Sequence, residues 1–195
     1  AIPLIRGGLR SIPQQVIVEE AKRLIDRGIF EINLIAQDLA SYGVERENPE
    51  KGGGDIIPLL REIAGLPGDF RIRLLYIHPD VFPRDLISVV RDHPKILPYF
   101  DIPFQHASRK ILRAMGRDGD AESYLSLIEE IRGGLPDAVL RTTFLVGFYG
   151  EGRQEFEELE HFQRAAEFDW AGVFTYSPEE RSEEHTSELQ SLSHI

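Results

Sequence analysis

The chain has no cysteine among its 195 residues. Disulfides, thiolate zinc sites, iron-sulfur ligation and a cysteine nucleophile are therefore excluded within these residues. A GxGxxG motif after the first predicted strand is also missing, as are the HxH and HExxH patterns of common metal sites. Neither thiol chemistry nor a dinucleotide-binding fold is predicted for this sequence.

Long apolar runs and a surplus of positive charge are lacking as well. No stretch approaches the roughly 18 apolar residues of a membrane span, and no signal-peptide pattern opens the chain, so we expect a cytoplasmic location and no membrane partner. Lys and Arg number 22 against 33 Asp and Glu, a net charge of -11, which argues against a direct grip on nucleic acid. The 42% hydrophobic and 28% charged residues are typical of a globular domain.

The two ends of the chain differ from the rest. The opening, AIPLIRGGLRS, has the character of the second half of a loop, which predicts that the first strand of the fold lies upstream of Ala1. Near the other end, RSEEHTSELQS at 181–191 resembles the in-frame translation of a sequencing-library adapter, and a disordered acidic terminus is the alternative. We therefore expect a partial domain over 1–180 and a non-native tail over 181–195.

Apolar runs alternate with amphipathic segments between these ends. The run FEINLIAQD at 30–38 is almost continuously apolar before its polar end, as in a buried parallel strand. Further strands are predicted at 71–80, 99–108, 139–151 and 170–176. Helices are predicted to begin near Pro13, Asp55, Pro83, Arg109 and Asp120, and after residue 151. Five strands alternating with helices predict an α/β fold with a parallel sheet.

Polar residues gather where these strands end. Gln37 and Asp38 end the first strand, and His78 ends the second. The fourth strand runs into a glycine turn at 147–151. Because barrel enzymes carry their sites at the carboxyl ends of the strands, this arrangement favours a barrel over an open sheet.

Two histidines provide one candidate site. His78 and His106 end consecutive strands, with Asp38, Asp80 and Asp101 nearby in the pattern. Imidazoles and carboxylates on neighbouring strands could hold a divalent metal for hydrolysis. Hydrogen-bonded structural histidines at strand ends are the alternative.

The segments FQHAS and LRTTFLVGFYGE provide a second candidate. Gln105 and Ser108 carry neutral donors and acceptors that suit a zwitterionic or ribose-bearing ligand, although Ser108 also fits a helix N-cap. Arg141 lies in an otherwise buried strand and needs a partner, either a ligand carboxylate or an internal salt bridge. Gly147 and Gly150 let a backbone approach a ligand closely, or simply make the turn.

Six stretches together carry a family likeness. They are AIPLIRGGLRS, LIAQDLASYG, YIHPDVFP, ILPYFDIPFQHAS, ILRAMGR and DAVLRTTFLVGF. In this order they resemble the radical S-adenosylmethionine domain of RimO-type methylthiotransferases. The likeness covers essentially 1–180 and implies an incomplete (β/α)6 TIM-like barrel of parallel strands that lacks the first strand and the cluster loop.

The resemblance implies two cofactors, S-adenosylmethionine and a 4Fe-4S cluster. In the family a CxxxCxxC loop holds the cluster, and its last cysteine would immediately precede Ala1. Because that loop is not in this sequence, we expect the chain to be inactive alone. The implied reaction of the full enzyme adds a methylthio group to the β-carbon of an aspartate in a small-subunit ribosomal protein, with an electron donor as a further partner.

Two other functions stay open. The tRNA-modifying MiaB-type relatives usually show an HLPVQSGS-like stretch where this chain has DIPFQHAS, which favours the ribosomal-protein modifier over the tRNA modifier. A metal-dependent barrel hydrolase that uses His78 and His106 is the second alternative.

The resemblance also implies a bed for S-adenosylmethionine in this chain. Arg141 and Thr143 would lie near the ligand carboxylate and ribose, and the adenine would lie against the end of the same strand. The residues that the resemblance assigns are Gln37, Asp38, Gln105, Ser108, Arg141, Thr143, Val146 and Gly147. One departure is Tyr149, which stands where the family usually has a proline that would preset φ of the turn.

Overall fold

A computed structural model describes residues 10–44 and 56–177. In these two ranges the helices are α1 Gln14–Asp26, α2 Ile56–Ala64, α3 Asp85–Asp92, α4 Arg109–Ala114, α5 Ala121–Gly134 and α6 Arg153–Ala166, with a short 3-10 turn at Pro79–Val81. The strands are β1 Glu31–Ile35, β2 Arg71–Leu75, β3 Ile96–Asp101, β4 Val139–Val146 and β5 Trp170–Thr175. Helices and strands alternate as the sequence predicts.

The strands form one sheet in the order β1-β2-β3-β4-β5, and every neighbouring pair is parallel. The predicted α/β class with a parallel sheet is confirmed. β1 pairs only with β2 in the described sheet and therefore lies at one edge. β5 lies at the other edge, where Trp170 and Phe174 are exposed.

The hydrophobic core lies between the sheet and the helices on one of its faces. Along β4, Leu140, Thr142 and Phe144 are buried, while the residues between them are only half-buried, because alternate side chains point to opposite faces. Phe162 of α6 packs against four aromatic rings with centroids 5.5 to 6.2 Å away. Those rings belong to Phe104, Tyr124, Phe144 and Phe168.

The opposite face of the sheet is more polar. Arg73 of β2 donates from Nε and Nη2 to the two carboxylate oxygens of Glu31 on β1, at 2.7 and 3.1 Å. The same guanidinium lies over the ring of Tyr99 on β3, 4.4 Å from its centroid. Hydrogen bonding to Arg73 lowers the pKa of Glu31. These side chains join three strands on the face that the helices leave open.

Local signals explain where several elements begin. Asp120 and Ser123 form a reciprocal capping box at the start of α5, and hydrogen bonds from Ser123 lower the pKa of Asp120. Ser108 is the N-cap residue of α4, as expected, but its side chain makes no capping hydrogen bond. The predicted cap Asp55, the opening residues 1–9 and the tail 181–195 lie outside the described residues.

The third strand differs most from its prediction. The predicted strand at 99–108 is replaced by β3 over Ile96–Asp101 and an isolated bridge between Gln105 and Phe144. Pro103 has no backbone N–H to continue a ladder, and Gln105 has φ of 67°, outside the extended region. The regular strand therefore ends at Asp101, and the chain pairs with β4 again at the Gln105 bridge.

Candidate functional site

The carboxyl ends of the parallel strands place the predicted site residues along one edge of the sheet. Gln37 and Asp38 follow β1, and His78 follows β2. Gln105 to Ser108 follow β3, and Gly147 follows β4. We call this edge, with the segments 36–41, 76–80, 105–108 and 146–151, the rim.

Asp38 fastens the first two segments of the rim together. Its Oδ1 accepts hydrogen bonds from the backbone N–H groups of Ala40 and His78, at 2.9 and 3.0 Å. Its Oδ2 accepts a hydrogen bond from the hydroxyl of Ser41. Gln37, by contrast, is exposed. The Asp38 carboxylate thus shapes the rim, whereas Gln37 is free to face a ligand.

Tyr76 is not among the residues predicted from the sequence. Its φ of 63° is unusual for a bulky side chain. Its carbonyl accepts a hydrogen bond from Leu39 N–H at 2.9 Å, and Ile77 N–H donates to the Asp101 carbonyl at 2.9 Å. The Tyr76 N–H faces the Asp101 carboxylate and acts to lower the pKa of that group. These bonds hold the strained residue in place at the end of β2, with its side chain exposed. No pattern in the sequence signals such a conformation.

Arg141 has the internal partner that the sequence allowed as one of two possibilities. Its Nη1 donates to Asp101 Oδ2 at 3.0 Å, across the β3–β4 pair. The Asp101 side chain is 2% exposed and the Arg141 side chain 42% exposed. Burial raises the pKa of Asp101 despite the neighbouring guanidinium. The salt bridge thus engages one nitrogen of Arg141 and leaves much of the guanidinium accessible.

Gln105 joins β3 to β4 at the rim. Its N–H donates to the carbonyl of Thr143 at 2.9 Å, and its carbonyl accepts from Leu145 N–H at 2.7 Å. The side chains of Gln105 and Thr143 are half-buried. The structure therefore brings Gln105, Thr143 and the Arg141–Asp101 pair into one region of the rim.

The glycine turn after β4 is open on one side. Gly147 and Gly150 have φ of 76° and 86°, and a Cβ built on either would meet no atom within 4 Å. Glu151, a second residue missed in the sequence, folds back under the turn. Its Oε2 accepts hydrogen bonds from the N–H groups of Gly147 and Phe148 at 2.8 and 3.3 Å. In the sequence, this contact is indicated by the acidic residue that stands four positions after Gly147.

In each of the two candidate metal-binding histidines, one ring nitrogen is used in a local turn. Nδ1 of His78 accepts a hydrogen bond from Asp80 N–H at 3.3 Å, and Nδ1 of His106 accepts one from Ser108 N–H at 2.9 Å. Burial lowers the pKa of both imidazoles. Among residues 10–44 and 56–177 there is no group of three or more His, Asp or Glu side chains that could hold a metal ion. The described geometry therefore favours the structural alternative for both histidines.

A parallel α/β sheet with polar groups at the carboxyl ends of its strands is the architecture of a partial barrel, and the rim is where such barrels carry their sites. The sequence model of the Radical SAM superfamily matches residues 2–162. The chain belongs to the radical SAM superfamily. This membership confirms the predicted class, and the superfamily as a whole implies S-adenosylmethionine and a 4Fe-4S cluster as cofactors.

Similar curated proteins have the name ribosomal protein uS12 methylthiotransferase RimO. The protein of Treponema denticola is 44% identical over 92% of this chain and 41% of its own length. That of Natranaerobius thermophilus is 45% identical over 92% of this chain and 40% of its own. The chain thus spans about two fifths of the length of these curated relatives.

Solved structures share the fold at low identity. Streptococcus suis SuiB bound to S-adenosylmethionine is 13% identical, with a TM-score of 0.59 over 96% of this chain and 40% of SuiB. Coproporphyrinogen III oxidase from Escherichia coli, described as a radical SAM enzyme, is 13% identical with a TM-score of 0.52 over 93% of this chain and 46% of its own. These similarities confirm the partial barrel.

Within the described part of the chain, no helix has the length and apolar character of a membrane span.

Proposed function

We propose that this chain forms the S-adenosylmethionine bed of a radical methylthiotransferase that acts on ribosomal protein uS12. The full enzyme would add a methylthio group to the β-carbon of an aspartate in that protein. The observation that carries the proposal is the 44% identity, over 92% of this chain, to a relative named for this activity. The chain itself is proposed to bind and orient the cofactor.

The residues of this chain do not fit a 4Fe-4S cluster. The sequence contains no cysteine, and the described residues contain no cluster of three or more His, Asp or Glu side chains that could take its place. We therefore assign no chemical step of a cluster to this chain. We propose that the ligands of the cluster come from a CxxxCxxC segment upstream of Ala1.

The rim residues do fit S-adenosylmethionine. The exposed part of the Arg141 guanidinium offers further N–H donors to a carboxylate, next to amide and hydroxyl groups of Gln105 and Thr143 that suit a ribose. The open side of the turn at Gly147 lets a flat adenine approach the backbone and Val146. When bound, S-adenosylmethionine supplies the radical chemistry for which the superfamily is named.

The other predicted residues of the bed have different proposed roles. Gln37 is exposed at the end of β1 and is proposed to face the ligand. Asp38 is engaged by two backbone N–H groups, and Ser108 is buried and bound to His106. We propose that these two residues shape the bed from behind.

The proposal includes the remaining partners and the domain limits. Residues 1–180 would be part of the radical S-adenosylmethionine core and 181–195 a non-native tail. An electron donor would serve the full enzyme, and the net charge of -11 supports the absence of a direct nucleic-acid grip in this chain. A ribosomal-protein substrate is consistent with a cytoplasmic location.

The test compares this chain with a version extended upstream through the CxxxCxxC segment. Both are treated anaerobically with iron and sulfide, then given reductant, S-adenosylmethionine and either uS12 or tRNA. We expect the extended chain to produce deoxyadenosine and the short chain to produce none. Arg141→Lys in the extended chain should raise the S-adenosylmethionine concentration needed for half-maximal rate, and Arg132→Lys in α5 is the matched control.

Three outcomes would contradict the proposal. Equal deoxyadenosine production by the short and extended chains would contradict the assignment of the cluster to the upstream segment. Preference for tRNA over uS12 would favour the MiaB-type alternative. A zinc-dependent hydrolase activity of the short chain that is lost in His78→Ala would favour the barrel hydrolase.

A further inference from the structure

His106 is a fully buried polar side chain between two segments of the rim. It is 0% exposed, and its Nδ1 accepts a hydrogen bond from Ser108 N–H at 2.9 Å. An imidazole nitrogen that accepts a hydrogen bond carries no proton, so in the neutral ring the proton is on Nε2. Nε2 has no hydrogen-bond partner within normal distance among the described residues.

The nearest carboxylate to this nitrogen is Glu151. Its Oε2 lies 3.5 Å from His106 Nε2, and its side chain is 8% exposed. The same oxygen accepts the N–H groups of Gly147 and Phe148. A carboxylate with little access to water needs donors around it, and the Nε2–H of His106 is the third donor facing this oxygen.

We propose that His106 is a positioning residue that fixes the glycine turn of the rim through Glu151. The imidazole holds the carboxylate under the turn, and the carboxylate holds the N–H groups of Gly147 and Phe148. This role deepens the proposed function, on which it rests, because the turn at Gly147 is the proposed adenine side of the bed. His106 itself would touch neither cofactor nor substrate.

A second link joins the same two parts of the chain on the surface. Lys110, in the helix after His106, donates from Nζ to the carbonyl of Gly150 at 2.8 Å and to Glu155 Oε1 at 2.6 Å. Its side chain is 62% exposed. Because exposed ion pairs contribute little, Lys110 offers a matched control for the buried link.

The charged groups around His106 fit this arrangement. Burial lowers the pKa of His106 and outweighs the negative charges of Glu151, Glu155 and Glu158, which favour protonation of the ring. Protonation would place a hydrogen on Nδ1 and remove the acceptor that Ser108 N–H uses. The neutral ring with its proton on Nε2 therefore suits both neighbours, because it accepts from Ser108 N–H and presents N–H to Glu151.

Two substitutions separate the functions of the two ring nitrogens. His106→Asn keeps an acceptor near the position of Nδ1 but is too short to reach Glu151. His106→Gln keeps a donor near the position of Nε2. Amide hydrogen exchange in the 195-residue chain is followed by mass spectrometry for peptides covering the turn at 145–152 and, as an internal reference, α5.

We expect His106→Asn to accelerate exchange at 145–152 by about fivefold or more, because the buried Glu151 carboxylate loses a neighbouring N–H group, with α5 unchanged. His106→Gln and Lys110→Met should stay within about threefold of the parent. Binding of S-adenosylhomocysteine, used as the probe, should weaken in His106→Asn and persist in Lys110→Met.

Unchanged exchange at 145–152 in His106→Asn would overturn the inference. So would uniform acceleration across the whole chain in both His106 variants, since that pattern belongs to a residue that only fills the core. If the exchange rates change as expected but S-adenosylhomocysteine binds neither the parent nor any variant, the result would count against the proposed function and not against the role of His106. The exchange measurement does not depend on the cofactor.

Discussion

Replacing Arg141 with methionine should destabilise the fold by about 1–2 kcal/mol at neutral pH. The substitution leaves the Asp101 carboxylate, which is 2% exposed, without its charged partner and facing the backbone N–H of Tyr76. Breaking a fully buried ion pair costs about 3–5 kcal/mol, and an exposed pair contributes at most about 1 kcal/mol. The Arg141 side chain is 42% exposed, so this pair falls between the two limits.

The loss should depend on pH in a defined direction. Burial already raises the pKa of Asp101 above the usual 3.8, and removal of the guanidinium raises it further. A carboxyl group with a raised pKa in the folded state favours folding while it is protonated and opposes folding once it ionises. The loss of unfolding free energy in the variant should therefore be largest at pH values above the folded-state pKa of Asp101 in the variant. The loss should decrease as the pH falls through that pKa and the carboxyl group becomes protonated.

Urea denaturation of the parent and Arg141→Met at several pH values measures this difference. The double variant Asp101→Asn/Arg141→Met is the control, because it keeps an acceptor for Tyr76 N–H without a buried charge, and it should regain most of the lost stability. An Arg141→Met chain as stable as the parent at neutral pH would refute the reasoning. A loss of equal size in the single and double variants would show that packing of the arginine stem, not charge, is responsible.

Three further predictions concern the rest of the chain. Tyr76→Gly should raise the free energy of unfolding by up to about 1 kcal/mol, because glycine adopts φ of 63° without strain, and unchanged or lower stability in urea denaturation would contradict this. Phe162→Ala should cost about 3–5 kcal/mol in thermal denaturation, whereas Phe156→Ala in the same helix, where the side chain is 42% exposed, should cost much less. Burial lowers the pKa of His78 and His106, so as the pH falls these residues take up protons in the unfolded chain before they do in the folded chain. The urea midpoint should therefore fall as the pH drops below about 6.5. A midpoint that stays constant through this range would contradict the burial of the two neutral imidazoles.

The order of the elements was predictable because it depends on local patterns. The apolar runs of β1 and β4 and the alternation with amphipathic helices are visible in short windows of sequence. The position of β3 was not, because Pro98 in a strand and Pro103 after it give no clear strand pattern. The pairing of β2 with β3 also shifts register between Ile72 and Leu74, which no local signal predicts.

The site was predictable only at the level of which residues lie near the rim. Arg141 and Gln105 end up in one region because parallel strands share an edge, which follows from topology. The contacts of Glu151 with His106 and of Asp101 with Tyr76 join residues far apart in sequence. Such pairs depend on the exact height of each strand end, and one-residue differences there change which groups meet.

The sequential order of the strands has a consequence for how stability is distributed. Each inner strand pairs with the strand before it and the strand after it, and each edge strand pairs with one neighbour, so every β–α unit depends mainly on its immediate neighbours, as in a repeat protein. In such a chain, local unfolding starts at the ends and moves inward. Amide protection should therefore be greatest in β3, decline through β2 and β4, and be least in β1 and β5. A sheet of this kind accepts another unit at either edge without rearranging the pairs already formed.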